Sequence, residues 1–264
     1  MPEQGRCERR VPGRRAQTTV PNDGSQAMNR TRAMAWDVDG TLVDSEPLHL
    51  RALQSVCDAH GVDITDYGDT PFVGVAIGDV WRLLATRFES KFKQQPGIAD
   101  GEFRRAITRY YLEHASEVCV LPGARQALEH LSRLGVTLAA VSNSERPIVL
   151  ANLRTIGVLD LFQVVVSLDD VGQPKPAAEP YLRALATMAV PAREAWAVED
   201  SISGARSARA AGLRVLIVGE DELPQGDQRL SDLRNFQHWW TTSGAQSCPT
   251  QNELAQLASS GVNE

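Results

Sequence analysis

From residue 123 onward, short apolar segments alternate with segments of helical periodicity. The apolar segments predict strands at 136–141, 164–166, 195–198 and 214–218, and those between them predict helices at 123–134, 147–156, 177–189 and 203–211. Strands without polar alternation are buried on both faces, as in a parallel sheet wrapped by helices. The pattern therefore predicts a doubly wound α/β fold, to which residues 34–36 add a further strand. In such a sheet, ligands bind beyond the carboxyl ends of the strands.

A long helical region separates that first strand from the alternating part. Apolar residues recur at helical spacing from Glu46-Pro47 to Gly61, and again around 78–93 and 102–114. A structureless loop of about seventy residues would be implausible inside a compact domain. We therefore predict that residues 48–120 form an all-helical domain, inserted into an α/β core made of residues 34–47 and 121–236.

The two ends of the chain differ from this core in composition. Residues 1–33 contain seven arginines and three acids with little to bury, which predicts a disordered basic tail. It is a targeting segment, a nucleic-acid arm or an extension upstream of a start at Met28 or Met34; we favour the last, because no amphipathic periodicity is present. Residues 237–264 are predicted to be a C-terminal extension, with Trp239-Trp240 either buried or in contact with a partner. Leucine and phenylalanine side chains just before it are predicted to cover the core edge: Leu223, Leu230, Leu233 and Phe236.

Charge and cysteine content restrict the possible partners. Residues 34–264 carry 20 basic and 30 acidic side chains, so this part of the chain should repel nucleic acid and anionic lipid. No apolar run is long enough to span a bilayer, and no secretory leader is evident. The four cysteines form no C-x-x-C pair, which indicates reduced thiols rather than a zinc site. We expect a cytoplasmic protein, monomeric or weakly dimeric, with neither a nucleic-acid nor a membrane partner.

Asp37 and Asp39 follow the first predicted strand, and Gly40 permits a sharp turn directly after them. Two residues apart on a strand places both side chains on one face. Carboxylates that close repel each other unless a cation lies between them or one holds a proton. The pair therefore predicts a divalent metal, a general acid or both, although aspartates also commonly cap turns.

Polar residues also follow three of the later predicted strands. Ser142-Asn143 offers a hydroxyl and backbone amides at a strand-to-helix junction, which suits either a phosphate or a simple helix cap. Lys175 lies between two prolines in a chain whose other basic residues, apart from Lys91 and Lys93, are arginines. A compact ammonium there suits neutralising a phosphate oxygen and a carboxylate. Glu199-Asp200 is costly to bury without a partner, and its hard oxygen atoms suit Mg²⁺.

Four motifs in this order resemble those of the haloacid dehalogenase-like (HAD) superfamily, whose members are mostly magnesium-dependent phosphotransferases. They are D-x-D-G-T-L-V-D-S from Asp37, Ser142, G-x-x-K-P around Lys175, and E-D-S-x-x-G from Glu199. The helical insert resembles a type 1 cap, which closes over the active site and selects small substrates. Trp36 stands where the family usually has Phe.

The resemblance implies a role for each motif residue. Asp37 would be the nucleophile and Asp39 the general acid and base. Mg²⁺ would be bound by the side chains of Asp37 and Asp200 and by the carbonyl of Asp39, with Glu199 as a further ligand or as support. The phosphate and the rest of the substrate would be held by Lys175, Ser142, Asn143, Thr41 and His49. His49 would either assist proton transfer or simply pack at the junction with the cap.

The favoured function is therefore a magnesium-dependent phosphatase acting on a small sugar phosphate or a phosphoglycolate-like acid. Dehalogenases of the superfamily lack the second acid, which is present here as Asp39. A phosphonate-cleaving relative would need a cap lysine, but Lys91 and Lys93 lie in a polar stretch. A β-phosphoglucomutase-type mutase is the main alternative, yet Ala76-Ile77 follows Gly74-Val75 where such mutases carry an arginine. A non-catalytic binding or regulatory role would predict a lost motif residue, and none is lost.

Overall fold

The structure is a computed structural model that describes residues 31–68, 72, 77–91, 99–219 and 228–243. Its strands are β1 Ala33–Trp36, β2 Val43–Asp44, β3 Cys119–Val120, β4 Thr137–Val141, β5 Val164–Val166, β6 Ala195–Glu199, β7 Arg214–Val218 and β8 Gln228–Leu230. Its α-helices are α1 Glu46–Ala59, α2 Ile77–Lys91, α3 Asp100–His114, α4 Ala124–Arg133, α5 Arg146–Thr155, α6 Glu179–Met188, α7 Ile202–Ala210 and α8 Phe236–Thr242. None of these helices is long and apolar enough to cross a membrane.

Six of the strands form one parallel sheet in the order β5-β4-β1-β6-β7-β8, which confirms the predicted α/β fold. β1 lies between β4 and β6, and Trp36 pairs with Ala140 on one side and Val198 on the other. This register brings the ends of the three central strands to one level. The sequence did not predict β8, because three residues with an exposed, polar beginning carry no strand pattern.

Helices cover both faces of this sheet. Met34 and Trp36 of β1 point into an apolar cluster with α4, α5 and α8, whereas Ala33 and Ala35 point into a second cluster with α6 and α7. Because every residue of β1 is fully buried, its two faces are equally apolar. The central strand is thus fixed on both sides, which gives the residues after it a rigid support.

The helices α1, α2 and α3 have an apolar cluster of their own. Its members come from all three helices and include Leu53, Val56, Leu84, Phe88, Phe103 and Ile107. The region begins and ends at a short antiparallel ribbon, in which Val43 of β2 pairs with Val120 of β3 and Asp44 pairs with Cys119. No strands were predicted here from the sequence, because a segment of two residues is recognisable as a strand only when a partner strand lies beside it.

Residues 31–33 and 237–243 pack on the core, where the sequence predicted a tail and an extension. Ala33 lies inside β1, and the amide of Arg32 donates to the carbonyl of Glu194 at 2.8 Å. The predicted basic tail of residues 1–33 therefore extends too far along the chain. Residues 1–30 lie outside the described part. α8 crosses the proposed boundary at residue 237, and both Trp239 and Trp240 are buried against the core rather than exposed to a partner. Leu233 is buried and Leu230 half-buried, as predicted, whereas Leu223 and residues 244–264 are not described.

Replacement of Phe236 by Ala is expected to lower the free energy of unfolding by about 3–5 kcal/mol, because the cavity left by a buried aromatic ring is not refilled. The ring is fully buried, with centroid distances of 5.4 Å to Trp36 and 5.3 Å to Trp239. Urea unfolding would measure the change. The matched control is Gln237→Ala on the exposed side of the same helix, which should change stability by no more than about 0.5 kcal/mol.

Candidate active site

The carboxyl ends of the central strands open into one cavity. Its lining includes Asp37 and Asp39 after β1, Ser142 and Asn143 after β4, Lys175 on the loop after β5, Asp200 after β6, and His49 from α1. Parallel strands in register end at the same edge, which brings these distant residues together. Thr41 and Glu199 are fully buried and lie behind the cavity rather than in its lining.

Lys175 is the centre of a buried ion network. Its Nζ atom donates to Asp37 Oδ1 and Glu199 Oε1, both at 2.6 Å, and to the carbonyl of Val141 at 2.8 Å. Only 4% of its side chain is exposed. Burial lowers the pKa of Lys175, but the charges of Asp37 and Glu199 more than offset this, so the net pKa is raised and the ammonium stays charged.

Asn143 fixes the backbone from which that ammonium extends. The amide of Lys175 donates to Asn143 Oδ1 at 2.9 Å, and Asn143 Nδ2 donates to the Lys175 carbonyl at 3.2 Å. Both polar ends of the Asn143 side chain are therefore in use. Asn143 lines the cavity, yet this geometry makes it a support for Lys175 more than a free donor for a substrate.

Carboxylate oxygens of Asp37, Glu199 and Asp200 all lie within 4.8 Å of one another. Burial raises the pKa of Asp37 well above its usual range, although Lys175 opposes the effect. Burial and then the charge of Glu199 raise the pKa of Asp200 to about 7. Three carboxylates facing one ammonium leave two excess negative charges when all are ionised. This group could hold a metal ion, and its oxygen donors and charge suit a hard divalent cation.

The turn after β1 lets the backbone come close to this acidic group. Gly40 has φ of +81°, and a Cβ atom there would lie 2.0 Å from Asp200 Oδ2. A side chain at this position is therefore excluded both by backbone conformation and by space. Thr41, the next residue, donates from Oγ1 to Asp200 Oδ1 at 3.4 Å, so it contacts the acidic group rather than the open cavity.

Glu199 faces away from the cavity toward buried donors. Its Oε1 atom accepts hydrogen bonds from Lys175 and from the Tyr181 hydroxyl at 2.5 Å, and a Cβ atom at Gly204 would lie 1.9 Å from Oε2. Of the two roles that the resemblance implied for Glu199, this arrangement favours support of Lys175. The sequence did not single out Tyr181, because an aromatic residue on an apolar helix face carries only a core signal.

Asp39 belongs to a second network, made of neutral donors. Its carboxylate accepts from the hydroxyls of Ser45 at 2.8 Å, Ser142 at 3.0 Å and Ser144 at 2.8 Å, and from Asn152 Nδ2 at 3.0 Å. Burial raises the pKa of Asp39, but nearby His49 and the serine hydroxyls lower it by more than burial raises it. The net pKa of Asp39 is therefore below its usual range. We predicted that Asp37 and Asp39 share one strand face; β1 instead ends at Trp36, and the two side chains enter different networks.

One of the donors to Asp39, Asn152, is held in turn by the helical region. The Tyr111 hydroxyl of α3 donates to Asn152 Oδ1 at 2.9 Å, and its ring lies 4.5 Å from that of His49. His49 Nε2 is 3.9 Å from Asp39 Oδ1. His49 thus both packs against α3 within the helical region and lines the cavity. Tyr111 and Asn152 were not among the residues predicted from the sequence, although a polar Asn within the apolar run of α5 was a detectable signal.

The profile of the haloacid dehalogenase-like hydrolase family matches residues 34–218, which contain every residue of both networks. The chain belongs to the haloacid dehalogenase-like hydrolase family. The fold is thus that of a HAD-like hydrolase, and the matched range contains the four motifs.

Three relatives illustrate this membership. CbbY from Rhodobacter capsulatus is 31% identical over 221 residues, covering 76% of this chain and 93% of CbbY. Hexitol phosphatase B from Escherichia coli is 29% identical over 205 residues, covering 76% and 90%. A crystal structure of CbbY from Rhodobacter sphaeroides in complex with xylulose-(1,5)bisphosphate has a TM-score of 0.66 and 27% identity, and the match covers 77% of this chain and 95% of that one.

Proposed function

We propose that this HAD-like hydrolase is a phosphatase that hydrolyses a small phosphorylated metabolite through an aspartyl-phosphate intermediate. The observation that carries the proposal is the pairing of Asp37 with Lys175 beside Asp200, at the bottom of a cavity that Asp39 also lines. A carboxylate nucleophile, a cation and an acid-base group around one space are the parts that phosphoryl transfer requires. Membership of the family and its phosphatase relatives support the same reaction.

The reaction would proceed in two steps. An Asp37 carboxylate oxygen attacks phosphorus, and the bond from phosphorus to the alcohol oxygen breaks as Asp39 gives that oxygen a proton. A water molecule then attacks the phosphorus of aspartyl-phosphate and passes a proton to Asp39, so phosphate leaves, Asp37 is again a carboxylate and Asp39 is again the protonated acid. In this structure four hydrogen bonds to Asp39 and a lowered pKa favour its ionised form, so Asp39 must take up a proton and exchange at least one of these hydrogen bonds for the leaving oxygen before it can act as the acid.

The remaining residues would hold the phosphoryl group and a metal ion. The side chains of Asp37 and Asp200 and the carbonyl of Asp39 would hold Mg²⁺, with Glu199 and Thr41 as support; the bound ion would offset the repulsion between nucleophile and phosphate. Lys175 and Ser142 would contact phosphoryl oxygens, and Asn143 would hold Lys175 in place. His49 would contact the rest of the substrate.

We further propose that residues 48–120 act as a cap and that the enzyme works in the cytoplasm on a small-molecule phosphate ester. α1, α2 and α3 have a separate apolar cluster and join the sheet region through the β2–β3 ribbon. Leu53 from α1 and Ile107 from α3 line the cavity, so the helical region would contact the alcohol part of the substrate. Cys57 and Cys119 are free thiols, in keeping with a reducing compartment.

A sugar-phosphate mutase of the β-phosphoglucomutase type is the alternative reaction on the same groups. Mutases of this type would carry an arginine where this chain has Ala76-Ile77 after Gly74-Val75. Residues 74–76 lie outside the described part of the chain, whereas Ile77 begins α2 and lines the cavity. A mutase must return the phosphoryl group to a second hydroxyl rather than to water. A non-catalytic HAD-like protein is the further alternative, and it predicts no phosphate release from any ester.

The deciding experiment is phosphate release from a panel of sugar and acid phosphates, with Mg²⁺ and with an excess of chelator. We expect release with Mg²⁺ and a fall of at least about 10³-fold with chelator, because the metal supplies much of the charge stabilisation. Isomerisation of a phosphosugar after addition of a bisphosphate primer, with no release, would favour the mutase. The absence of both reactions would reject the proposal.

A further inference from the structure

We propose that the cavity selects phosphate monoesters whose alcohol part carries no second negative charge. This inference rests on the proposed phosphatase function and concerns the part of the cavity that would receive the alcohol. Sugar phosphates and phosphoglycolate-like acids were equally acceptable by sequence. They differ in the charge of the group remote from the phosphate. The side chains that line the outer cavity favour one of these two classes.

Negatively charged side chains outnumber positively charged ones around the cavity. Among the described residues that line it, Lys175 is the only lysine or arginine, and its ammonium already contacts two carboxylates and a carbonyl. Five carboxylates line the same cavity: Asp37, Asp39, Glu46, Glu145 and Asp200. A phosphate and a divalent cation beside Asp37 would roughly cancel each other. The remaining excess of negative charge would oppose a second anion on the substrate.

The wall contributed by the helical region is apolar. Leu53, Phe72, Val80 and Ile107 line the cavity and also belong to the apolar cluster of that region. A carboxylate or a second phosphate placed against these side chains would lose hydration without gaining a partner. The carbon skeleton of a neutral alcohol would instead bury apolar surface there.

No cation is placed to offset this, as far as the described residues show. The guanidinium of Arg104 lies against Gly78, next to Ile77 of the cavity lining, but its Nε atom donates to Asp100 Oδ1 at 2.8 Å. The segments 69–71 and 73–76, which flank Phe72, contain neither lysine nor arginine in their sequence. Among the described residues of this wall, a second anion could find a cation only by drawing Arg104 away from Asp100.

Glu145 is the residue that most directly sets the charge at this end. It precedes α5, lines the cavity, and accepts a hydrogen bond from Thr108 Oγ1 of α3 at 2.5 Å. Its carboxylate and the Thr108 hydroxyl can exchange hydrogen bonds with neutral hydroxyl groups, whereas the Glu145 carboxylate would repel a second carboxylate. We assign Glu145 as a specificity-determining residue that disfavours anionic alcohols.

The test compares substrates that carry either a neutral hydroxymethyl group or a carboxylate at the carbon remote from the phosphate. The pairs are 2-hydroxyethyl phosphate with phosphoglycolate, and open-chain glucitol 6-phosphate with 6-phosphogluconate. We expect the neutral member of each pair to have a kcat/KM at least about tenfold higher, the effect of one like charge at a partly screened distance. Glu145→Gln should reduce the ratio of the two kcat/KM values, neutral over charged, severalfold. Glu145→Lys should reduce this ratio further or reverse the preference. The matched control, Glu113→Gln on the exposed face of α3, should leave it unchanged.

Three results would overturn the inference. The first is a wild-type preference for the charged member of both pairs. The second is a ratio that does not respond to either Glu145 variant. The third is loss of phosphoglycolate turnover in Arg104→Gln, which would show that Arg104 supplies the missing cation.

A binding measurement separates this inference from the proposed reaction. Calorimetric titration of the Asp37→Asn variant with each pair, in the presence of Mg²⁺, reports affinity without turnover. Tighter binding of the neutral esters with no hydrolysis by the wild type would reject the phosphatase and support the charge selection. Equal affinities for both members, with hydrolysis intact, would do the reverse.

Discussion

Asp37→Asn is expected to reduce phosphate release at least about 10³-fold while the protein remains folded, because an amide cannot attack phosphorus and no neighbouring group replaces it. Lys175 keeps its contacts with Glu199 and the Val141 carbonyl in this variant, so the network loses only one member. Burial already raises the pKa of Asp37, so a neutral amide at this position should not destabilise the fold. Single-turnover phosphate release and thermal unfolding measure the two expectations.

Two further variants make this test specific. Asp44→Asn makes the same acid-to-amide change on the exposed side of β2 and should retain full activity. Asp39→Asn should lose turnover on alkyl phosphates yet still become phosphorylated on Asp37 by an activated ester that needs no acid, which mass spectrometry of the intact protein would detect. Wild-type rates in Asp37→Asn, or phosphorylation of a residue other than Asp37, would refute the mechanism.

Lys175→Met is expected to abolish activity and to lower the free energy of unfolding by about 3–5 kcal/mol in the presence of chelator. The substitution leaves Asp37 and Glu199 buried without their shared cation, and a buried charge that loses its partner is strongly destabilising. The large effect follows from burial, since the side chain of Glu199 is fully inaccessible. Urea unfolding at neutral pH would measure it.

A double variant separates charge from packing at Lys175. Lys175→Met combined with Glu199→Gln removes one of the two uncompensated carboxylates and should recover part of the lost stability. The exposed Arg133→Met is the matched control and should change stability by no more than about 0.5 kcal/mol. Wild-type stability in Lys175→Met, or no recovery in the double variant, would show that the ion network is not what makes Lys175 structurally important.

The order of strands and helices along the chain was predictable because each element is indicated by a local sequence pattern. A buried parallel strand needs only a short apolar run, and the helices between such strands have their own periodicity. β8 and the β2–β3 ribbon were missed because two or three residues become a strand only when a partner lies beside them. The burial of Trp239 and Trp240 was one of two alternatives, since sequence cannot distinguish a core contact from a partner contact.

The active site, like the fold, has some features that the sequence predicts and others that it does not. Asp37, Asp39, Ser142, Lys175 and Asp200 could be placed at one edge from sequence, because each follows a strand or lies on the loop after one, and parallel strands in register end together. The directions of the side chains could not be placed. Whether Glu199 faces the cavity or Lys175 depends on Tyr181, which lies on α6, apart from the strand that carries Glu199.

By itself, the sequence determined the α/β fold, the helical insertion and the residues that carry charge at the strand ends, because these depend on spacing along the chain. Only the tertiary structure decided that Asp37 pairs with Lys175 while Asp39 is held by Ser45, Ser142, Ser144 and Asn152. It also decided that Glu145 and an apolar wall line the outer cavity. The physical reason is that hydrogen bonds and charge balance depend on distances between residues far apart in sequence, which no local pattern records.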